Sequence, residues 1–272
     1  MPVQPLARAR SRLIMIVLLP PSEGKATARR RGTPVRLDRL TLPELRDARR
    51  RVLSALVGAS ARPDAATVLK VGAGQAAEVA ANLTLARTPA APAAAVYTGV
   101  LYDALDLASL PAPVRARASR TVLVQSALWG PVSVADRIAP YRLSMGVSLP
   151  GLGPLAGYWR AVLDGLMPTV VGHQVVVDCR SSTYAAAWRP SGDVARRTVA
   201  VRVWTETAGA RTVVSHHAKH TRGLVARWLL EAGSVRSVGA VAEVVGTRMP
   251  CELVDLGRSG WALDVVTGVV TR

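Results

Sequence analysis

Phenylalanine is absent from these 272 residues, and aromatic residues make up only 4% of them. A core must therefore be built from alanine, valine and leucine packed around six tryptophans. Half of the chain is apolar, which excludes global disorder. Cysteine is limited to Cys179 and Cys251, with no CxxC spacing. That argues against a disulfide framework or a structural zinc and fits a reducing cytoplasm. No apolar run is long enough to span a membrane. The apolar run Leu13–Leu19 follows a basic head like a signal peptide, but two prolines and Ser22-Glu23-Gly24-Lys25 stand where a small-residue cleavage site would be. Ile14–Leu19 is predicted as a buried first strand. Residues 1–14 are read as a dispensable extension to a single domain over 15–272.

Lysine is the most telling scarcity. Lys25, Lys70 and Lys219 are the only three, against 32 arginines. Arginine does not deprotonate in proteins, whereas lysine serves as a point charge or, with a depressed pKa, as a base or Schiff-base amine. The net charge is +17, which predicts attraction to polyanions such as double-stranded DNA or other phosphate-bearing ligands. A solubilising arginine-rich surface is the bland alternative.

The chain alternates predicted strands and helices, then turns to a hairpin. "TLPELRDARRRVLSALVGA" reads as an amphipathic helix with Leu45, Ala48, Val52 and Leu56 on one face. Thr41 and Glu44 form its expected capping box. "AAPAAAVYTG" reads as a strand ending near Thr98, and "RTVLVQS" and "HQVVVDC" as two more. "PVSVADRIAPYRLSMGVSLPG" reads mostly as loop. "RTVAVRVWTET" and "RTVVSHH" flank Ala-Gly-Ala as a hairpin, and "AKHTRGLVARWLLEAG" is a helix ending at Gly233. The expected class is α/β: a mixed sheet flanked by helices, with a helix-hairpin-helix element at about 41–86.

Five segments carry candidate chemistry. "VLKVGAGQAAEVA" places Gly72 and Gly74 in a turn before a helix, where backbone can approach a phosphate, with Lys70 adding a mobile charge. The alternative is a turn that needs glycine for geometry alone. "PPSEGK" puts Ser22 and Lys25 at a strand end, without Walker glycine spacing. "APYRLSMG" holds Tyr141 and Arg142 in a rigid loop suited to an anion. "SHHAKHTRG" groups His216, His217, Lys219, His220 and Arg222. His216 and His220 have ligand spacing, but Lys219 and Arg222 would repel a cation, so an anion-facing helix start is favoured over metal. "VVDCRSSTY" ends a strand with Asp178, Cys179, Arg180, Ser181 and Ser182; Cys179 reads as a buried small residue ahead of an activated thiol.

Taken together, "LLPPSEGK", "VLKVGAGQAAEVAANL", "AVYTGVLYDAL", "SALWGPVSVADRIAPYRLSMG", "YWRAVL", "VVDCRSSTYAAAW" and "HHAKHTRGLVARWLLE" resemble, in that order, the YaaA peroxide-stress family, also called DUF328 or UPF0246. The resemblance implies a cytoplasmic, DNA-binding protein with a positively charged cleft that limits peroxide damage. It implies Lys25, Tyr97, Arg142, Lys219 and Arg222 as cleft residues, with Lys25, Lys219 and Tyr97 the catalytic candidates if the cleft is catalytic. Ser22, Ser181, Arg142 and Arg222 would bind the anion, and Lys70, Gly72 and Gly74 the DNA. No cofactor, metal or membrane is expected. Two departures stand out: alanines replace a lysine that many members carry before "VYTG", and His220 stands where others often have a basic residue. An enzyme of specialised metabolism, acting on a small carboxylate- or phosphate-bearing substrate in the same cleft, is the alternative.

Overall fold

Five parallel strands form the spine of an eight-stranded mixed sheet in the computed structural model. The structure describes residues 15–207, 210–212 and 215–268. The expected extension, residues 1–14, lies outside them. In chain order the sheet strands are β1 (Met15–Leu19), β2 (Val122–Ser126), β3 (Gly130–Ser133), β4 (Val175–Asp178), β5 (Thr198–Thr207), β6 (Ala210–Thr212), β7 (Cys251–Asp255) and β8 (Trp261–Thr267). Their spatial order is β7-β8-β5-β4-β1-β2-β3, with β6 paired to β5. Strands β3 and β7 close the two edges antiparallel.

Strand β1 sits at the centre, and all five of its residues are buried. A strand covered by helices on both faces needs that continuous apolar run, here Met-Ile-Val-Leu-Leu. The chain next pairs β2 on one side of β1 and then β4 on the other. The pairing direction thus switches beside β1, and α/β sheets bind ligands at the carboxyl ends of strands at such points. Residues Pro20–Lys25, Ser126 and Cys179–Ser181 all lie at that edge.

Several local expectations are corrected. Thr41 does not cap a helix: its N–H and hydroxyl both donate to Asp136, at 2.9 and 3.0 Å. The helix begins only at Arg46 and runs to Ser60. Leu45, Val52 and Leu56 are buried as expected, but so is Arg49, within the same helix. Its guanidinium donates to the carbonyls of Trp129, Leu42, Thr41 and Pro131 at 2.6–3.0 Å, and burial lowers its pKa to about 10. Ala93–Val96 forms a helical turn, not a strand, consistent with alanine's helix preference. Gly130–Ser133, expected as loop, is the edge strand β3, where Pro131 is tolerated because an edge has hydrogen-bonding positions to spare.

Candidate functional site

Prolines 20 and 21 follow β1, and proline offers no N–H to continue a ladder. The chain turns instead. Ser22 Oγ donates to Gly24 O at 2.5 Å and accepts from Thr98 N at 3.1 Å. Lys25 and Tyr97 form an antiparallel bridge, Ala26 N donates to Val96 O, and Tyr102 OH donates to Pro20 O at 2.7 Å. The Ser22–Lys25 turn is thereby pinned to the Val96–Tyr102 segment.

Three cationic side chains far apart in sequence meet one residue of that turn. Lys25 Nζ donates to Glu23 O at 3.3 Å, and Arg142 Nη1 to the same oxygen at 3.4 Å. Lys219 Nζ lies 3.4 Å from Glu23 Oε1. Lys25 donates further to Ser22 O at 2.9 Å, and Arg142 pairs with Glu78 Oε2 at 3.4 Å. Asn82 locks the Arg142 backbone from both sides, accepting from its N–H and donating to its carbonyl.

Four of the five tyrosines surround this point. Tyr97 and Tyr102 stack with ring centres 5.4 Å apart, and Lys25 Nζ lies 4.4 Å from the Tyr141 ring centre. Ser126 Oγ accepts from Leu128 N and Trp129 N, which fills its lone pairs. Its proton therefore goes to Tyr141 OH at 2.7 Å, and Tyr141's proton to Tyr97 OH at 3.3 Å. Tyr97 is left as the terminal donor of that chain. Burial raises the phenol pKa of Tyr97, Tyr102, Tyr141 and Tyr184, so all four remain neutral.

Lys25 is perturbed the other way. Burial first, then the neighbouring Arg142 charge, lowers its pKa to about 8, against a smaller upward pull from Glu78 and Glu23. In the neutral amine two N–H groups remain, and two carbonyls are present to receive them.

The Gly72–Gly74 turn lies beside this cluster. Helices Ala65–Leu69 and Ala76–Ala81 flank it, and Glu78 and Asn82 are its links to Arg142. Lys70 has a left-handed backbone (φ 54°) and donates to Gly146 O at 2.9 Å, at the far end of the loop that carries Arg142. Gly72 N donates to Gln75 Oε1 at 3.0 Å.

Other expected residues lie differently. Arg222 Nε donates to Val201 O of β5 at 3.3 Å, and its charge acts on the Cys179 thiol. Burial nonetheless pushes that thiol up to about 12, so Cys179 is an inert core residue. Ser181 stands at the N-terminal boundary of the short helix Ser182–Ala185, which carries Tyr184, without a side-chain capping bond. Arg180 is buried in a two-pronged pair with Asp178 at 2.8 and 2.7 Å. His217 and His220 are exposed; the His216 side chain lies outside the described residues. Among the described residues no three His, Cys, Asp or Glu side chains are grouped to hold a metal ion. Sequence reasoning missed the roles of Glu23, Glu78, Ser126 and Tyr184. The recurrence of scarce tyrosines in the motif segments was the available signal.

A family model described as peroxide stress protein YaaA matches residues 15–244. A UPF0246 protein of Streptomyces coelicolor is 48% identical over 260 residues, covering 93% of this chain and 98% of its own. A UPF0246 protein of Corynebacterium efficiens is 36% identical over 246 residues, covering 88% and 95%. One from Burkholderia mallei is 32% identical over 194 residues, covering 68% and 69%.

Proposed function

The chain belongs to the peroxide stress protein YaaA family, and from that premise we propose that it binds double-stranded DNA through a basic cleft during the response to peroxide. The observation that carries this reading is the meeting of Lys25, Arg142 and Lys219 at Glu23. Three cations against the two carboxylates of Glu23 and Glu78 leave an excess of positive charge, in a chain whose net charge is +17. An incoming phosphate would relieve that excess and release counterions from the nucleic acid.

The turn at Gly72–Gly74 supports the same reading as a helix-hairpin-helix. Both glycines are exposed, neither has a positive φ, and a Cβ at either would meet nothing within 4 Å. Their own packing therefore does not demand glycine. A phosphate backbone seated on the turn would. Lys70 supplies the charge there, since Gln75 already occupies the Gly72 amide. Cytoplasmic action follows from this reading.

Fluorescence anisotropy with a labelled duplex tests it. The affinity should fall linearly on a log–log plot against salt, and Arg142→Ala or Lys219→Ala should each lower the slope by about one. Variants that bind as tightly as the parent, with the same slope, overturn it.

A second reading has its own observation. Lys25 is a partly buried amine beside a tyrosine hydrogen-bond chain, which suits an enzyme acting on a small carboxylate- or phosphate-bearing substrate. Saturable binding of such an anion, with no binding of duplex, would favour it.

A further inference from the structure

We propose that Lys25 forms an imine with the aldehyde of an abasic site in duplex DNA. The inference rests on the DNA-binding reading and names the lesion that the cleft would recognise.

The chemistry begins with what an imine needs: an unprotonated primary amine, a nearby proton donor and a means of holding the carbonyl partner. Among 35 basic residues only lysine can supply that amine, and the chain keeps three. Lys25 is the one whose Nζ is held by two backbone carbonyls against the rings of Tyr141 and Tyr97, where burial lowers its pKa to about 8. The groups facing it are Arg142, Lys219, Glu23 and Glu78, with the phenols of Tyr97, Tyr141 and Tyr184. Deprotonation leaves two N–H groups for the Ser22 and Glu23 carbonyls and frees one lone pair.

The partner follows from the two properties that the site combines. Arg142 and Lys219, which meet Lys25 at Glu23, favour phosphate, and the amine favours a carbonyl. An abasic deoxyribose carries both: in its open form the C1′ aldehyde lies between two backbone phosphates. It has no base to exclude, so only a sugar must approach the Lys25 amine.

The steps balance without any added oxidant or reductant. The Lys25 lone pair attacks C1′, and the carbonyl oxygen takes a proton from the Tyr97 end of the hydrogen-bond chain or from water. Loss of water then gives the iminium. Removal of a C2′ proton, by Glu23 or water, breaks the C3′–O bond and its electron pair leaves with the 3′-phosphate. Hydrolysis of the imine regenerates the amine.

Borohydride trapping on the full chain tests the proposal. The probe is a labelled duplex with one abasic site, at protein concentrations that saturate binding as read by anisotropy. The expected result is a covalent complex whose peptide map places the adduct on Lys25, absent with intact duplex or a tetrahydrofuran analogue, and lost in Lys25→Arg. Trapping should rise with pH until about 8. Saturated binding without trapping, or an adduct on Lys70, Lys219 or the N-terminal amine, overturns the imine and leaves DNA binding standing. Absence of any duplex binding overturns both. Trapping of pyruvate or of a small phosphorylated aldehyde on Lys25, with none of the abasic duplex, overturns DNA as the carbonyl's source.

Discussion

Lys25 Nζ lies 4.4 Å from the centre of the Tyr141 ring and 5.9 Å from that of Tyr97. The π faces favour the ammonium form, yet desolvation and the Arg142 charge outweigh them and hold the pKa near 8. A cation kept in an unfavourable place has consequences that can be measured.

The first is for stability. An unfolded chain holds the Lys25 proton up to about pH 10.5, the folded one only to about 8. Between those values the unfolded state binds more protons, so this residue makes stability rise with pH. Below pH 8 the penalty is present in full, on the order of 1–3 kcal/mol. Lys25→Met should therefore unfold at higher urea than the parent at pH 7, and the gap should close towards pH 10. A gap that stays constant with pH contradicts the assignment.

Asp178 and Arg180 form a buried pair that also carries the Trp188 carbonyl at 2.9 Å. Removing one partner strands a charge in the core, at a cost of about 3–5 kcal/mol. Asp178→Ala should lose that much in urea denaturation, and the double change Asp178→Val with Arg180→Met should recover part of it. Equal losses in the single and double variants would show that the ion pair is not the source.

Gly223 follows the Arg222 of the matched motif, and its place is set by packing. A Cβ there would collide with the Leu101 carbonyl and lie 2.9 Å from Ala104 Cβ, where helix Ser215–Ala232 crosses helix Val100–Leu105. Helix propensity alone would make Gly223→Ala stabilising by about 1 kcal/mol. Overpacking reverses the sign, so the variant should lose about 1–3 kcal/mol. A melting temperature at or above the parent's would contradict this close crossing.

The two thiols should separate cleanly. Cys179 is fully buried with its pKa raised to about 12, whereas Cys251 is partly exposed and less perturbed in environment. Iodoacetamide on the native protein should label Cys251 first, with Cys179 reacting only after denaturant is added. Prompt labelling of Cys179 would reopen it as a reactive site.

Much of this was legible in the chain because local chemistry and tertiary role agreed. The five-residue apolar run of β1, the proline stop after it and the glycine end of helix Ser215–Ala232 each read directly. The failures share a cause: a residue took its partner from a distant segment. Thr41 had the sequence of a cap but found Asp136, 95 positions away. Arg49 looked like one more surface arginine, yet four carbonyls brought together by folding receive it. Glu23 read as one more polar residue of the loop after β1 and not as a meeting point, because two of the cations that meet it come from positions 142 and 219. Tyr97, by contrast, stood out through the "YTG" of the family resemblance.

The scarcity of lysine gives the most direct test of the central claim. Only three side-chain amines exist, so acetylation by a soluble ester, read by mass spectrometry with and without duplex DNA, reports on all of them at once. The account predicts that bound duplex shields Lys25, Lys70 and Lys219 together, and that high salt restores their reactivity. Duplex that binds while Lys25 and Lys219 acetylate at their free rates would place the DNA elsewhere and contradict the account.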